Sequence, residues 1–250
     1  MRFLTTFALL VSLVPLTAQA TEEVNYSGLS GFVVDSTNSN FDVSVEAVGL
    51  GNGSDNNIGV SGNIAATVTQ SGTNGATLDA LRIDDLVLNT VRGLSINFPV
   101  MNGFAQADIS SGTVSVYDNG PSATDILSDA GDFSYPNYGI NTYGTINWSV
   151  AGFGFSQSGS INLADFNPSA IDLTGVCTLA GDSLKMISDF SMVLETVQTG
   201  VPVLGDVTII TTLNGHIEAY APFQEVPEPA TVVTLMAGFI GIMRRKYHRR

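Results

Sequence analysis

The chain has 250 residues, 44% of them hydrophobic, and a formal net charge of −14 at pH 7. Its acidic balance excludes nucleic acid and anionic lipid as natural partners, because like charges repel. Its single cysteine, Cys177, excludes an intrachain disulfide and reads as a small buried hydrophobe between Val176 and Leu179.

The N-terminus carries a secretory pattern. Arg2 gives a positive start, residues 3–16 are mostly apolar, and Ala18-Gln19-Ala20 supplies small residues at a cleavage site. Ala18 and Ala20 mark the cut, residues 1–20 form the signal peptide, and the mature chain is expected to begin at Thr21. The apolar run is short for an uncleaved spanning helix. No cysteine follows the cut, which sets aside a lipoprotein signal.

Residues 21–225 are long enough for one good-sized core. Their only basic residues are Arg82, Arg92 and Lys185, against 22 acidic ones, so this body carries a net charge of −19. Such a surface attracts divalent cations and basic partners, and repels acidic polysaccharide unless cations bridge the two.

Along the chain the periodicity is two, not 3.6. Residues 22–26 read as a loose lead-in. "FDVSVEAVG" alternates, and "LRIDDLVLNTVRGLSINFPV" gives two runs with Leu94, Ile96 and Phe98 on one face. "INWSVAGFGFSQSGSINL" alternates around bends at Gly152 and Gly154. "DFSMVLETVQTG" and "VPVLGDVTII" read as consecutive strands with a turn between residues 200 and 205. In "VTIITTLNGHIEAYA", Val207, Ile209, Leu213, Ile217 and Ala219 share one face, and Thr208, Thr212, Asn214, His216 and Glu218 the other. The stretches "GLGNGSDNN", "SGTNGAT", "YDNGPSATD" and "SDAGDFSYPNYG" read as turns and loops, with a short helical turn near residues 123–130 as the one departure. The expected fold is all-β: an antiparallel β-sandwich or a curled barrel over residues 21–220, then a linker at 221–225.

Chemistry is sparse. His216 is the body's one histidine and sits on a polar strand face, which suits a surface residue better than a catalyst. No nucleophile elbow, zinc motif, dithiol motif or phosphate loop occurs. Asp84 and Asp85 are adjacent, so on a strand they point to opposite faces. The body therefore reads as non-enzymatic. Calcium is the one cofactor with any signal, through Asp55, Asp118, Asp129 and Asp132 in tight turns. "GNGSD" resembles one unit of a calcium-binding β-roll, but it occurs once, and a solvated turn is the plainer reading. Sugar stacking is a competing role for Trp148 and for the loop tyrosines Tyr135, Tyr138 and Tyr143. Trp148, however, shares a face with Ile146 and Val150, as a core residue would.

The C-terminus, "VPEPATVVTLMAGFIGIMRRKYHRR", is the most specific stretch. Pro227 and Pro229 fix φ and hold Val226 and Glu228 extended. Residues 230–243 are uncharged; as a helix they span about 21 Å against a bilayer core of about 30 Å. Arg244, Arg245 and Lys246 then stop transfer, leaving the tail cytoplasmic and the body outside. Proline-glutamate-proline, an apolar segment and an arginine-rich end, in that order, resemble the PEP-CTERM sorting signal of Gram-negative bacteria that make exopolysaccharide. The same element is also catalogued as the ice-binding protein C-terminal domain. The resemblance covers residues 226–250 alone. It implies that exosortase, an integral-membrane protease-like enzyme, recognises Pro227, Glu228 and Pro229 and removes one short transmembrane helix with its tail. The implied partners are exosortase, the general secretion machinery, exopolysaccharide and, transiently, the inner membrane; the implied destination is the cell surface or extracellular matrix. Ice binding finds little echo in the body: Thr67 and Thr69 form one T-x-T pair without a repeat.

Overall fold

The computed structural model describes residues 21–226 apart from 153, 168 and 202–204. The signal-cleavage residues Ala18 and Ala20, the motif Pro227, Glu228 and Pro229, the apolar segment, and Arg244, Arg245 and Lys246 lie outside the described residues. Among the described residues, no helix is long and apolar enough to cross a membrane.

The described residues form two compact units. In the larger, Glu23–Thr69 with Leu78–Gln224, the fold is all-β and antiparallel. The first strands are β1 (Glu22–Tyr26), β2 (Phe32–Val34), β3 (Asn40–Ala47), β4 (Gly51–Ser71) and β5 (Thr77–Thr90). Next come β6 (Ser95–Val100), β7 (Ala105–Ser111), β8 (Ser115–Asp118), β9 (Asp125–Ile126) and β10 (Asp132–Tyr143). The last are β11 (Thr145–Gly152), β12 (Phe155–Asn162), β13 (Ser169–Ala180), β14 (Ser183–Val201) and β15 (Gly205–Pro222).

Eight of these strands pair in a closed circuit, β4–β5–β8–β10–β13–β14–β15–β3 and back to β4. The curled form of the sequence expectation is therefore the main sheet, and closure shields most of its edges. A second sheet, β12–β11–β7–β6, lies against β4 of the first. Alternation places the core: Val207, Ile217 and Ala219 of β15 are buried, while Ile209 and Leu213 pack half-buried against the same cluster. Cys177 is fully buried, and burial pushes its thiol up to about 12.

Four local expectations change. Residues 22–26 form a strand rather than a lead-in, because Tyr26 is completely buried in the core. Ala221 and Pro222 continue β15 rather than open a linker; Ala221 is buried opposite Leu184, and the Gln224 N–H donates to the Tyr26 hydroxyl. Residues 125–126 are strand β9, not a helical turn. "GNGSDNN" is the start of β4, not a turn, and its glycines answer to packing. A Cβ on Gly51 would lie 2.4 Å from the Pro99 carbonyl oxygen, and one on Gly53 would lie 2.7 Å from both Ile96 and Phe98 side-chain carbons. The two sheets touch here through bare backbone.

In the smaller unit, Val226 is buried, and its N–H donates to the Asn74 carbonyl in the turn at Thr73–Gly75.

The Gly53 contact makes a direct prediction. Gly53→Val overpacks the inter-sheet seam and lowers stability by about 1–3 kcal/mol, whereas Gly112→Ala, with nothing within 4 Å of its Cβ position, stays within about 0.5 kcal/mol. Urea unfolding measures both; equal midpoints would refute the seam.

Candidate functional site

An open concavity lies on the outer face of β3, β15, β14 and β13, with a volume of about 460 Å³. Cross-strand register arranges its side chains in two rungs. One reads Asn40, His216, Asp189, Thr174 and the next Asp42, Asn214, Ser191, Asp172. Strand spacing of about 4.8 Å makes each rung about 14 Å long. His216 and Asp189 sit at the centre, Nδ1 to Oδ1 2.6 Å, and both are substantially exposed.

A β-bulge flanks each end. Between β3 and β4 the register shifts at Phe41/Val43, and Asn57 takes φ 57°. Between β10 and β13 it shifts at Tyr135/Tyr138, and Asn137 takes φ 56°. Asparagine tolerates this left-handed region better than other side chains. Each bulge is tied to the groove by an aspartate: the Asn57 N–H donates to Asp42 (2.8 Å) and the Asn137 N–H to Asp172 (3.0 Å). The same carboxylates that line the groove thus fix its walls.

Further along this face, Lys185 pairs with Glu218 at 3.0 Å, the Tyr220 hydroxyl donates to the same carboxylate, and the ammonium lies 5.5 Å from the Tyr220 ring centre. Tyr220 and then Lys185 hold the Glu218 carboxyl below its usual range.

The four calcium candidates are not brought together. Asp55 is gripped by Arg92 through two bonds of 2.7 and 2.6 Å and accepts the Ser95 N–H, so its oxygens are already committed. These bonds, the Arg92 pair first, lower its pKa. Asp118 accepts the N–H groups of Leu86 and Gly120; burial, then the neighbouring Asp85, pushes its pKa up. Asp129 is exposed in a turn, and Asp132 accepts the Ser128 hydroxyl. Among the described residues, no group of three or more acidic, histidine or cysteine side chains is placed to hold a metal.

The aromatic expectation divides as well. Tyr135 and Tyr138 lie in β10 and are buried, not in a loop; the Tyr135 hydroxyl donates to the Leu81 carbonyl at 2.7 Å. Tyr143 is exposed and meets exposed Tyr117 edge-on, centroids 5.5 Å apart. Trp148 faces the second sheet's apolar seam with Val45, Ile109 and Val150. Of the rungs, the sequence marks only His216 and Asn214 as sharing a polar face; the others lie on three distant strands, and only register unites them.

What fold and groove define is an all-β domain with an extended polar surface, borne ahead of a C-terminal segment of different character. Residues 225–250 match the family model of the PEP-CTERM protein-sorting motif. The chain thus carries the PEP-CTERM sorting signal, which implies recognition by exosortase, export, and a membrane-anchored precursor processed for the cell surface. No curated protein matches the chain.

Two carboxylates of opposite behaviour can be titrated. The folded pKa of Asp55 is lowered, so its contribution is present above the carboxylate range and lost as pH falls through it. Asp55→Asn lowers stability at pH 7 by about 1–3 kcal/mol, and the difference closes towards about pH 3. The folded pKa of Asp118 is raised, so the native chain loses stability as pH rises through it. Asp85→Asn relieves that pair and raises stability at pH 7 by up to about 1 kcal/mol, a gain absent at about pH 3. Thermal melts at the two pH values check both signs.

Proposed function

We propose that this is a non-enzymatic β-domain that a Gram-negative cell exports and exosortase releases to the surface or exopolysaccharide matrix, where its role is structural or adhesive. The sorting motif at residues 225–250 carries this reading. The pattern of carboxylate use supports the non-catalytic part. Asp42, Asp172 and Asp55 each accept backbone N–H groups that shape the fold. A general acid or base must instead be free to exchange its proton with substrate. Intact mass of the protein recovered from the cell surface tests the processing. The expected species runs from Thr21 to a C-terminus near Pro227-Glu228-Pro229. Glu228→Ala is expected to leave an inner-membrane precursor; a surface species still carrying Arg244, Arg245 and Lys246 would make the tail a simple anchor.

The groove favours a second reading, a binding module for a neutral, hydroxyl-rich glycan. Amide, hydroxyl and carboxylate groups occur along both rungs, with the His216 imidazole in one, a mixture of donors and acceptors suited to sugar hydroxyls. Affinity electrophoresis with a neutral and an acidic polysaccharide separates the cases. Retardation by the neutral polymer alone, reduced about tenfold in Asp189→Ala, is the expected result; retardation by neither leaves the purely structural role.

A further inference from the structure

Pairing between β13 and β14 runs from Ala180/Ser183 to Asp172/Ser191 and then ends. β14 does not end there. It continues through Gln198 in register with β15, seven residues past Ser191, and among the described residues it has no strand on its other side. Every second residue of 192–198 therefore turns its N–H and C=O groups outward, away from β15.

Natural sheets blunt such an edge with lysine, proline, a bulge or a short strand. This one has none of these between residues 192 and 198; its single charge is Glu195. The only register shift falls beyond it, between Gln198 and Val201. Its outer side chains include Val193 and Val197, 62% and 55% exposed. Its inner row, Leu194, Thr196 and Gln198, is half-buried against the seam between the sheets.

We propose that this edge pairs antiparallel with the same edge of a second copy of the chain, about a two-fold axis at Thr196. That register sets Glu195 opposite Val197, Val193 opposite Thr199 and Leu194 opposite Gln198. No like charges face each other directly, and both inner rows stay on one side of the joined sheet. A register centred on Glu195 would oppose the two carboxylates and is disfavoured. The interface is isologous, so it closes at two copies and does not propagate. Its opponent is long-range repulsion between two bodies of net charge −19. Backbone pairing is indifferent to salt while that repulsion is screened by it, so the dimer tightens as salt is added.

The test uses the mature protein recovered from the cell surface. Sedimentation velocity is expected to give a monomer–dimer equilibrium shifted towards dimer by sodium chloride. Val197→Glu sets a carboxylate opposite the second copy's Glu195 on both sides of the axis and weakens the dimer at least tenfold without touching the core, since Val197 is exposed. In a second arm, mild oxidation is expected to cross-link a Thr196→Cys protein into a covalent dimer but not a Ser44→Cys protein, whose position lies on β3 away from the edge. The native Cys177 is fully buried and stays out of the reaction. A monomer at every salt concentration overturns the proposal. So does a dimer that Val197→Glu leaves intact and that Thr196→Cys does not trap. A monomer that instead captures an added peptide of sequence 191–199 along β14 would reassign the edge to a foreign strand, and would also overturn the two-fold pairing.

Discussion

The pairing of β14 with β15 is the constraint on which the rest of the molecule hangs. At one end of this long hairpin, β13 and β2 flank it and the main sheet closes into its circuit. At the other, β3 flanks β15 alone, and the inner face meets the second sheet. Where the neighbours change, near Ser191 and Asn214, the outer face becomes the polar groove. One ladder thus sets the barrel, the seam and the candidate binding surface, because residues two apart on a strand keep the same face along its whole length.

Closing such a sheet demands local bending, and the bulges at Asn57 and Asn137 supply it. An inserted residue increases twist and turns the strand, but it also leaves an N–H outside the ladder. Asp42 and Asp172 accept those two donors. They work by the same geometry on opposite sides of the groove. This gives the aspartates a structural reason to stand there whatever the groove binds. It also explains why acidic side chains cluster on this face without forming a metal cage.

Much of the fold was legible from alternation. β3, β6, β11, β12, β14 and β15 follow the period-two runs, and His216 falls on the polar face as its spacing requires. What alternation missed has a common cause: local composition was read without its long-range partner. "GNGSDNN" has the composition of a turn, yet Gly51 and Gly53 are small because Ile96, Phe98 and Pro99 lie against them from another sheet. Tyr135 and Tyr138 sit among proline, asparagine and glycine, yet bury their rings because a bulge, not a loop, occupies Pro136–Asn137. Asp55 has the look of a calcium ligand until Arg92, 37 residues on, takes both its oxygens. The groove was least legible, since its two rungs draw on four strands whose register no single window contains.

The distribution of positive charge narrows what this surface can hold. Arg82, Arg92 and Lys185 are the only cations of the body, and each is paired: with Asp84 at 2.6 Å, Asp55 at 2.6 Å and Glu218 at 3.0 Å. Pairs with an exposed partner add little stability unless, as at Asp55, the carboxylate is largely buried and gripped by two bonds. Their larger consequence is that the body offers no uncompensated cation to an acidic polymer. Carboxylates far outnumber these cations, 22 against 3 over residues 21–225, so an anionic chain approaching the groove would meet net repulsion from the domain. On the proposed glycan-binding reading, polymers without charge would escape that penalty and use the hydroxyl, amide and imidazole groups of the rungs. On the same reading an acidic exopolysaccharide would need bridging divalent ions. The acidity would then act as a filter on partners, and the pairing of Arg82, Arg92 and Lys185 within the fold would keep that filter intact.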